Sequence, residues 1–99
     1  MVKSVITLPQ AEQDIADAYD WYEEQELGLG EEFLRCVDAC TQYIARNPKM
    51  YEFGYATYRR ALIRRFPYAI FYEYVENVVT IYAVFHCSQD PKKWRKRLK

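Results

Sequence analysis

The side chains that could do chemistry are few, and most of them lie in the second half of the chain. His86 is the only histidine. Imidazole is the side chain that changes charge near neutral pH, so this residue could act as a general acid or base. Arg59, Arg60, Arg64 and Arg65 follow one another closely. Their guanidinium groups could hold phosphates and stabilise a charged transition state. These five residues are the candidates for catalysis if the protein is an enzyme.

The same residue types also have a structural interpretation. His86 could be a hydrogen-bonded residue at the end of a strand, where it would fix the following tail through Asp90 or a backbone group. The tyrosines Tyr68, Tyr72 and Tyr74 are expected to pack in the core rather than to stack on nucleobases. Both interpretations remain open at the level of the sequence.

The three cysteines do not form a metal-binding pattern. Cys36, Cys40 and Cys87 contain no CxxC spacing. Cys36 and Cys40 share one face of a predicted helix, but a metal ion would need two further ligands. We therefore expect small apolar core residues in a reducing compartment, and no metal or other cofactor.

The net charge is zero, but the charges are unevenly distributed. Residues 1–45 carry ten acidic and two basic side chains, whereas residues 46–99 carry twelve basic and four acidic ones. One interpretation is a set of solvated acidic helix faces with a basic rim. The other is that the second half binds something anionic, such as nucleic acid or an acidic protein.

Length and composition indicate one cytoplasmic domain over residues 1–99. Hydrophobic residues make up 51% of the chain, which is a globular composition, and the chain is long enough to bury a core. No apolar run approaches the ~20 residues that span a bilayer. The first residues lack the pattern of a signal peptide, so we expect no membrane association.

Hydrophobic periodicity predicts an α+β fold in which an antiparallel helical hairpin packs on a mainly antiparallel sheet. The predicted elements are a strand over Val2–Thr7, helices over Pro9–Glu26 and Glu31–Arg46, an aromatic loop over Lys49–Ala56, and strands over Tyr58–Ile63, Phe66–Val75 and Val78–Cys87. The first strand is expected at an edge of the sheet.

A short C-terminal helix is expected after the last strand. Pro91 suits its first turn, and Ser88 or Asp90 could cap it. Trp94 and Leu98 are four residues apart and could anchor one face of this helix. The alternative is a frayed, solvated basic end.

The two strongest strands are joined by Glu76-Asn77, a turn in which asparagine tolerates φ > 0. Pairing Val75 with Val78 fixes a register, which divides the side chains between two faces of the sheet. The almost wholly apolar face should pack on the helices: Phe66, Tyr68, Ile70, Tyr72, Tyr74, Val79, Ile81, Ala83, Phe85 and Cys87. The other face should be open: Pro67, Ala69, Phe71, Glu73, Val75, Val78, Thr80, Tyr82, Val84 and His86.

The predicted open face keeps the apolar side chains of Phe71, Tyr82 and Val84. An apolar patch of this kind is more than a monomer usually leaves in water, so it suggests a protein partner.

Several motifs, taken in order, resemble the ParE/RelE superfamily of small toxins from bacterial type II toxin–antitoxin modules. The motifs are Ala18-x-x-Trp21-Tyr22, Phe33, Asn47-Pro48, Tyr58-Arg59-Arg60, Phe66-Pro67-Tyr68-x-Ile70-x-Tyr72 and His86-x-x-Gln89-Asp90-Pro91-x-x-Trp94-x-x-Arg97. The resemblance covers nearly the whole chain and looks closer to the ParE-like branch. It implies the RelE/ParE-like fold, with a strand, two helices and then three strands.

The resemblance also implies a partner. A toxin of this superfamily is held inactive by a cognate antitoxin encoded beside it, in a hetero-oligomer. The C-terminal segment of the antitoxin typically wraps the toxin as helix and strand, a familiar mode of coupled folding and binding. We therefore expect Phe71, Tyr82 and Val84 to bind the antitoxin.

Two mechanisms occur in the superfamily, and the residues favour the second. RelE-like members are ribosome-dependent mRNA endoribonucleases that use basic residues and often a terminal Tyr or His. ParE-like members inhibit DNA gyrase by binding it. His86 occupies the place of a catalytic His in some nuclease members. However, Ala69 stands where those members often carry Arg, and Cys87 stands where some carry Tyr.

The prediction is therefore a ParE-like toxin that binds DNA gyrase and is neutralised by an antitoxin. Arg65, His86, Trp94 and Arg97 are the residues expected to bind the target. One alternative is a RelE-type endoribonuclease acting on the ribosome and mRNA, with His86 and the four arginines as catalytic candidates. Another is a degenerate toxin that binds only its antitoxin.

Overall fold

The computed structural model describes residues 2–98, which form three helices and one five-stranded sheet. The elements are β1 (Ser4–Thr7), α1 (Pro9–Gln25), α2 (Leu29–Arg46), β2 (Phe53–Tyr55), β3 (Tyr58–Leu62), β4 (Tyr68–Val75), β5 (Val78–His86) and α3 (Pro91–Arg97). The strand order is β1-β5-β4-β3-β2. Edge strand β1 is parallel to β5, and the other neighbours are antiparallel. The predicted α+β fold is confirmed, but the short strand β2 lies in the segment predicted to be a loop.

The corner between α1 and α2 is held by one side chain. The Glu23 carboxylate accepts hydrogen bonds from the backbone N–H groups of Gly28 (3.0 Å) and Gly30 (2.8 Å), which lie at the start of α2. Gly30 packs so tightly against α1 that a Cβ at this position would lie 2.8 Å from the Tyr19 carbonyl oxygen. The first turn of α2 is thereby capped, and α2 begins two residues earlier than predicted.

The helical hairpin packs on one face of the sheet and forms the helix-side core. Phe33 and Ile44 of α2 and Tyr72 of β4 are each 0% exposed. The Phe66 ring centroid lies 4.9 Å from that of Tyr22 and 5.3 Å from that of Phe33. Burying such large rings supplies most of the stabilising free energy of a small domain.

The β4–β5 turn has the geometry that its sequence predicts. Glu76 and Asn77 both have positive φ angles, 51° and 66°, as a type I′ turn requires. Val75 pairs with Val78 directly before and after the turn. This end of the hairpin therefore has the predicted register.

A β-bulge further along β5 breaks that register. Tyr72 pairs with Ile81, but its neighbour Phe71 pairs with Ala83, so Tyr82 is the extra residue. One inserted residue sends every later side chain of the strand to the opposite face. The predicted assignment of faces is therefore wrong beyond Tyr82.

Val84 and His86 are the residues most affected by the bulge. Val84 is 3% exposed and packs in the helix-side core. His86 pairs with Tyr68, and the two ring centroids are 5.1 Å apart. Ala83 and Phe85, which were expected to face the helices, lie on the other side of the sheet.

That other side of the sheet is not open, because α3 lies across it. Leu98 is 2% exposed, and the Trp94 ring centroid is 5.2 Å from that of Phe71. Asp90 caps α3 by accepting a hydrogen bond from the Lys92 N–H at 2.9 Å. The predicted cap and anchors are confirmed, whereas the predicted open face is wrong. We call this second apolar layer the α3-side cluster: Tyr58, Ala69, Phe71, Ala83, Phe85 and Leu98.

Candidate functional site

The first candidate site is a groove between α2 and the end of β3, which we call the α2 groove. Its volume is about 930 Å³. Its lining residues are Arg35, Cys36, Ala39, Cys40, Tyr43, Arg46, Met50, Tyr51, Leu62, Arg64 and Arg65. The groove thus combines a cationic rim with an apolar floor.

Two segments of the chain supply the cationic rim. Arg35 and Arg46 lie on one face of α2, together with other groove residues at helical spacing. Arg64 and Arg65 lie shortly after the end of β3, beyond Ile63. Within residues 2–98, Arg65 is the one of these four with an acidic partner within 4 Å, the Glu32 carboxylate at 3.6 Å. Because all four side chains are exposed, the rim presents positive charge to whatever enters the groove.

The floor of the groove exposes apolar surface. Tyr43, Met50 and Leu62 are 43%, 55% and 58% exposed. Cys40 lies beneath them and donates a weak hydrogen bond from Sγ to the Leu62 carbonyl at 3.8 Å. Burial raises the pKa of the Cys40 thiol to about 11, so this cysteine is a packing residue rather than a nucleophile.

An unpaired strand edge runs along the groove. Strand β2 covers only the first part of β3, and the last contact is the Arg60 N–H donating to the Glu52 carbonyl at 3.0 Å. Ala61 and Leu62 pair with β4 but have no strand partner on their other side among residues 2–98. Such an edge can receive another strand.

The second candidate site is a cleft between the sheet and α3, which we call the α3 cleft. Its volume is about 470 Å³. Its lining residues are Gly54, Arg60, Ala69, Phe71, Phe85, His86, Cys87, Ser88, Gln89, Pro91 and Trp94. Three of the predicted functional residues, Arg60, His86 and Trp94, line it, although the His86 ring packs against Tyr68 on the helix side of the sheet.

His86 has one ring nitrogen already engaged. Its Nδ1 accepts a hydrogen bond from the Ser88 backbone N–H at 3.0 Å and lies 2.7 Å from the Ser88 Oγ. Because a backbone N–H can only donate, Nδ1 carries the lone pair, and the proton of the neutral ring is on Nε2. In this arrangement the lone pair of the neutral ring is directed at the Ser88 N–H. The partner that holds His86 is Ser88, while Asp90 caps α3.

Arg60 is the cation of the α3 cleft. Its Nη2 lies 3.9 Å from the Cys87 Sγ. Strand β2 passes directly over it, because a Cβ at Gly54 would be 2.8 Å from the Arg60 Cβ. Ala69 stands where a nuclease arginine was expected and is 1% exposed, so Arg60 has no second arginine beside it at that place.

Arg59 is engaged by contacts within the fold. Its Nη1 donates to the carbonyl oxygens of Lys49 at 3.1 Å and Tyr51 at 2.6 Å. Its guanidinium carbon lies 4.2 Å from the centroid of the Phe53 ring. These contacts fix the segment between α2 and β2, and they leave the guanidinium group little freedom to reach a ligand.

The structure thus separates the four arginines that the sequence places close together. Arg60 lines the α3 cleft, Arg64 and Arg65 line the α2 groove, and Arg59 is tied to a loop. Arg97, expected to bind the target, is instead paired with Asp14.

The residues predicted to bind an antitoxin offer little surface in this structure. Phe71 is 1% exposed and Val84 is 3% exposed, and they lie on opposite sides of the sheet. Tyr82 is half-buried, with its ring centroid 4.9 Å from that of Tyr58. Their role in antitoxin binding stays a prediction, but it would require these side chains to become accessible.

Among the groove residues that the sequence did not single out as site residues are Arg35, Tyr43, Arg46, Met50 and Leu62. A signal was present, because positions 35, 39, 43 and 46 recur at helical spacing on the face of α2 away from its main apolar stripe. The stripe that points into the core is stronger and dominates the hydrophobic pattern of α2. Pairing these positions with Arg64 and Arg65 requires the fold.

Residues 2–98 contain neither a metal-binding cluster nor a buried polar side-chain atom without a hydrogen-bond partner. Within residues 2–98, no group of three or more His, Cys, Asp or Glu side chains could hold a metal ion. Over the same residues, every buried side-chain nitrogen or oxygen has a hydrogen-bond partner. None of the described helices is both long and apolar enough to cross a bilayer. The candidate sites are therefore surface depressions, the α2 groove and the α3 cleft.

Known proteins resemble the chain in sequence and in fold. A family described as the ParE toxin of the type II toxin–antitoxin system parDE matches residues 5–91. A solved structure, from a chromosomal ParDE TA system of P. aeruginosa, has a TM-score of 0.64 at 15% identity. The alignment covers 84% of this chain and 94% of that one. No curated protein matches the sequence.

Proposed function

The chain belongs to the ParE toxin family of type II toxin–antitoxin systems, and from this premise we propose that it is a toxin that acts by binding a protein. The proposed target is DNA gyrase, and the proposed inhibitor is a cognate antitoxin. The two candidate sites suggest two separate binding roles. In this scheme the α2 groove receives the antitoxin, and the α3 cleft contacts the target.

The hydrogen bonding of the His86 ring is the observation that favours binding over catalysis. In an RNA-cleaving site a base must accept a proton from the attacking hydroxyl. The Nδ1 lone pair of His86 is already used by the Ser88 N–H at 3.0 Å. Ala69 adds only a buried methyl group where a nuclease would carry a guanidinium. These features support a binding surface with no chemistry of its own.

The shape and charge of the α2 groove support its assignment to the antitoxin. A segment that folds on binding gains affinity from backbone hydrogen bonds to an open strand edge and from side chains in adjacent pockets. Ala61 and Leu62 offer such an edge, and Met50 and Tyr43 offer apolar surface. The four rim arginines would pair with acidic side chains of that segment.

The α3 cleft supports a different kind of contact. It is smaller, and its exposed cation Arg60 is accompanied by the aromatic ring of Trp94. Arginine and tryptophan are the residue types most often found at the energetic centre of protein interfaces. We therefore assign Arg60, His86 and Trp94 to target binding, and we assign Arg65 to the groove and Arg97 to the fold.

Two assays on the purified chain test the proposal. The first follows the supercoiling of relaxed plasmid by gyrase, and the second follows mRNA cleavage on translating ribosomes. We expect supercoiling to be inhibited and mRNA to stay intact. Cleavage that disappears in the His86→Ala variant would overturn the binding proposal. If neither activity appears and expression without antitoxin does not arrest growth, the chain is a degenerate toxin.

A ribosome-dependent endoribonuclease is the second candidate function, because one observation favours it. Arg60 and His86 line the same cleft, and opening the turn at Ser88 would free the Nδ1 lone pair. In that case cleavage should persist in the Ser88→Ala variant, which keeps the backbone hydrogen bond to His86. Cleavage should be abolished in the His86→Ala variant.

A further inference from the structure

The Asp14 carboxylate joins three elements that are far apart in the sequence. Its Oδ2 accepts a hydrogen bond from the Val84 backbone N–H at 3.0 Å, directly after the bulge in β5. Its two oxygens also accept from Arg97 of α3, at 3.2 Å from Nη1 and 2.7 Å from Nη2. The same Nη2 lies 3.4 Å from the Tyr82 carbonyl oxygen. Strand β1 ends opposite Ile81, so the pair bonds backbone groups of β5 beyond the end of its neighbouring strand.

Helix α3 has little intrinsic stability. It is seven residues long, which is shorter than an isolated helix needs in water. Five of its residues are bases, and like charges three or four positions apart repel one another. These bases are Lys92, Lys93, Arg95, Lys96 and Arg97. Within residues 2–98, Arg97 is the one among them with an acidic partner within 4 Å.

The position of α3 therefore depends on its contacts with the sheet and with Asp14. The apolar anchors are Leu98 and the Trp94 ring, which covers Phe71. The charged anchor is Arg97, whose guanidinium carbon is also 5.2 Å from the centroid of the Phe85 ring. Its partly buried, two-pronged pairing with Asp14 fixes the direction of the helix as well as its location.

We infer that Asp14 is the residue that positions α3, and that the Asp14–Arg97 pair is a latch that keeps the α3 cleft assembled. When the latch is lost, α3 separates from the sheet more often, and the wall formed by Pro91 and Trp94 moves with it. Asp14 lies on α1 and lines neither the α3 cleft nor the α2 groove. The role of the latch in toxicity rests on the proposed function, whereas the docking of α3 does not.

Hydrogen exchange on the isolated chain tests the latch. The Asp14→Asn variant keeps an oxygen for the Val84 N–H but removes the charge that holds Arg97. We expect amides of α3, such as the Leu98 N–H bonded to the Trp94 carbonyl, to exchange about ten-fold faster. Amides of β4 and β5 should keep their protection. The control is Asp20→Asn, which removes the same charge from an exposed position on α1.

A second variant and a second signal keep the test decisive if Asp14→Asn folds poorly. Arg97→Gln should release α3 to the same degree, and combining it with Asp14→Asn should add nothing. Arg97→Lys keeps the charge and should restore part of the protection. In a Trp21→Phe background, the fluorescence of Trp94 reports α3 directly. Unchanged α3 exchange in both single variants, or equal losses in α3 and β4, would overturn the inference.

These measurements use neither gyrase nor antitoxin, so the latch can fail or stand independently of the proposed function. If α3 is released and gyrase is still inhibited as before, the latch stands and the assignment of the α3 cleft to the target fails.

Discussion

The α2 groove and the α3 cleft are both lined by arginine and apolar side chains. They differ in how many of these side chains are exposed and available to a partner. In the groove, Arg35, Arg46 and Arg64 have no acidic partner within 4 Å among residues 2–98, and the floor is exposed. In the cleft, His86 is bonded to Ser88, and the apolar rings are buried beneath α3. The groove therefore has the properties of a docking surface, whereas much of the cleft is part of the fold.

This difference shows why residue types alone mislead. The sequence draws attention to Phe71 and Val84, because two apolar side chains on a predicted open face suggest a partner. Both are core residues, at 1% and 3% exposure. The exposed apolar residues that could meet a partner are Met50, in a predicted loop, and Leu62, in a predicted strand with no face assigned to it.

The largest expected difference between the two regions is in stability. Phe71→Ala should lower the free energy of unfolding by about 3–5 kcal/mol, because it removes a buried ring from the α3-side cluster. Leu62→Ala should change it by less than about 0.5 kcal/mol, because this groove residue is 58% exposed. Urea unfolding monitored by circular dichroism measures both. Equal effects of the two substitutions would contradict the contrast drawn between groove and cleft.

The cysteines give a second, chemical comparison. Since burial raises the pKa of the Cys40 thiol to about 11, its thiolate fraction at pH 8 should be about 100-fold below that of an ordinary thiol. Cys87 is exposed beside Arg60 and should react first with a thiol reagent. Time-resolved alkylation with peptide mapping distinguishes the sites. Labelling of Cys40 as early as Cys87 would show that the groove floor opens.

Charge reversal on the rim tests the assignment of the groove. Arg64→Glu should weaken antitoxin binding about ten-fold, because it places a carboxylate opposite an acidic segment. Stability should be unchanged, since the side chain is exposed. Lys3→Glu makes the same charge change directly before β1, away from the groove, and should leave affinity unaltered. Calorimetric titration of both variants with the antitoxin is the measurement, and equal losses would argue against the groove.

The smallest expected effect is on stability at alkaline pH. Burial raises the pKa of Tyr72 to about 12 and that of Cys40 to about 11. A raised folded-state pKa means that the stabilisation is complete below the unfolded-state pKa and is lost as pH rises toward the folded-state value. Tyr72 alone should lose about 1 kcal/mol between pH 10 and 11. The Tyr72→Phe variant should therefore show a shallower decline in denaturant midpoint over this range.

Most of the fold could be predicted because its signals are local. Pro9 and the apolar stripes mark the helices, Glu76-Asn77 marks the hairpin turn, and Asp90-Pro91 marks the start of α3. The sheet register beyond Tyr82 could not be predicted, because the bulge depends on contacts from distant residues. Asp14 is 70 positions away from Val84, and Arg97 is 83 positions away from Asp14.

The candidate sites were predicted only in part for the same reason. His86, Arg60 and Trp94 line one cleft. His86 and Trp94 belong to one sequence motif, and Arg60 belongs to an earlier one. The rim of the α2 groove combines residues of α2 with residues that follow β3, and only the folded chain brings these together.

The most direct test of the division between the two regions is gyrase supercoiling by the double variant Arg35→Glu/Arg64→Glu, with and without the antitoxin purified from co-expression with the wild-type chain. We expect this variant to inhibit supercoiling as well as the wild-type chain does, and to remain inhibitory when antitoxin is added. A variant that no longer inhibits gyrase but still binds the antitoxin with wild-type affinity would contradict the account.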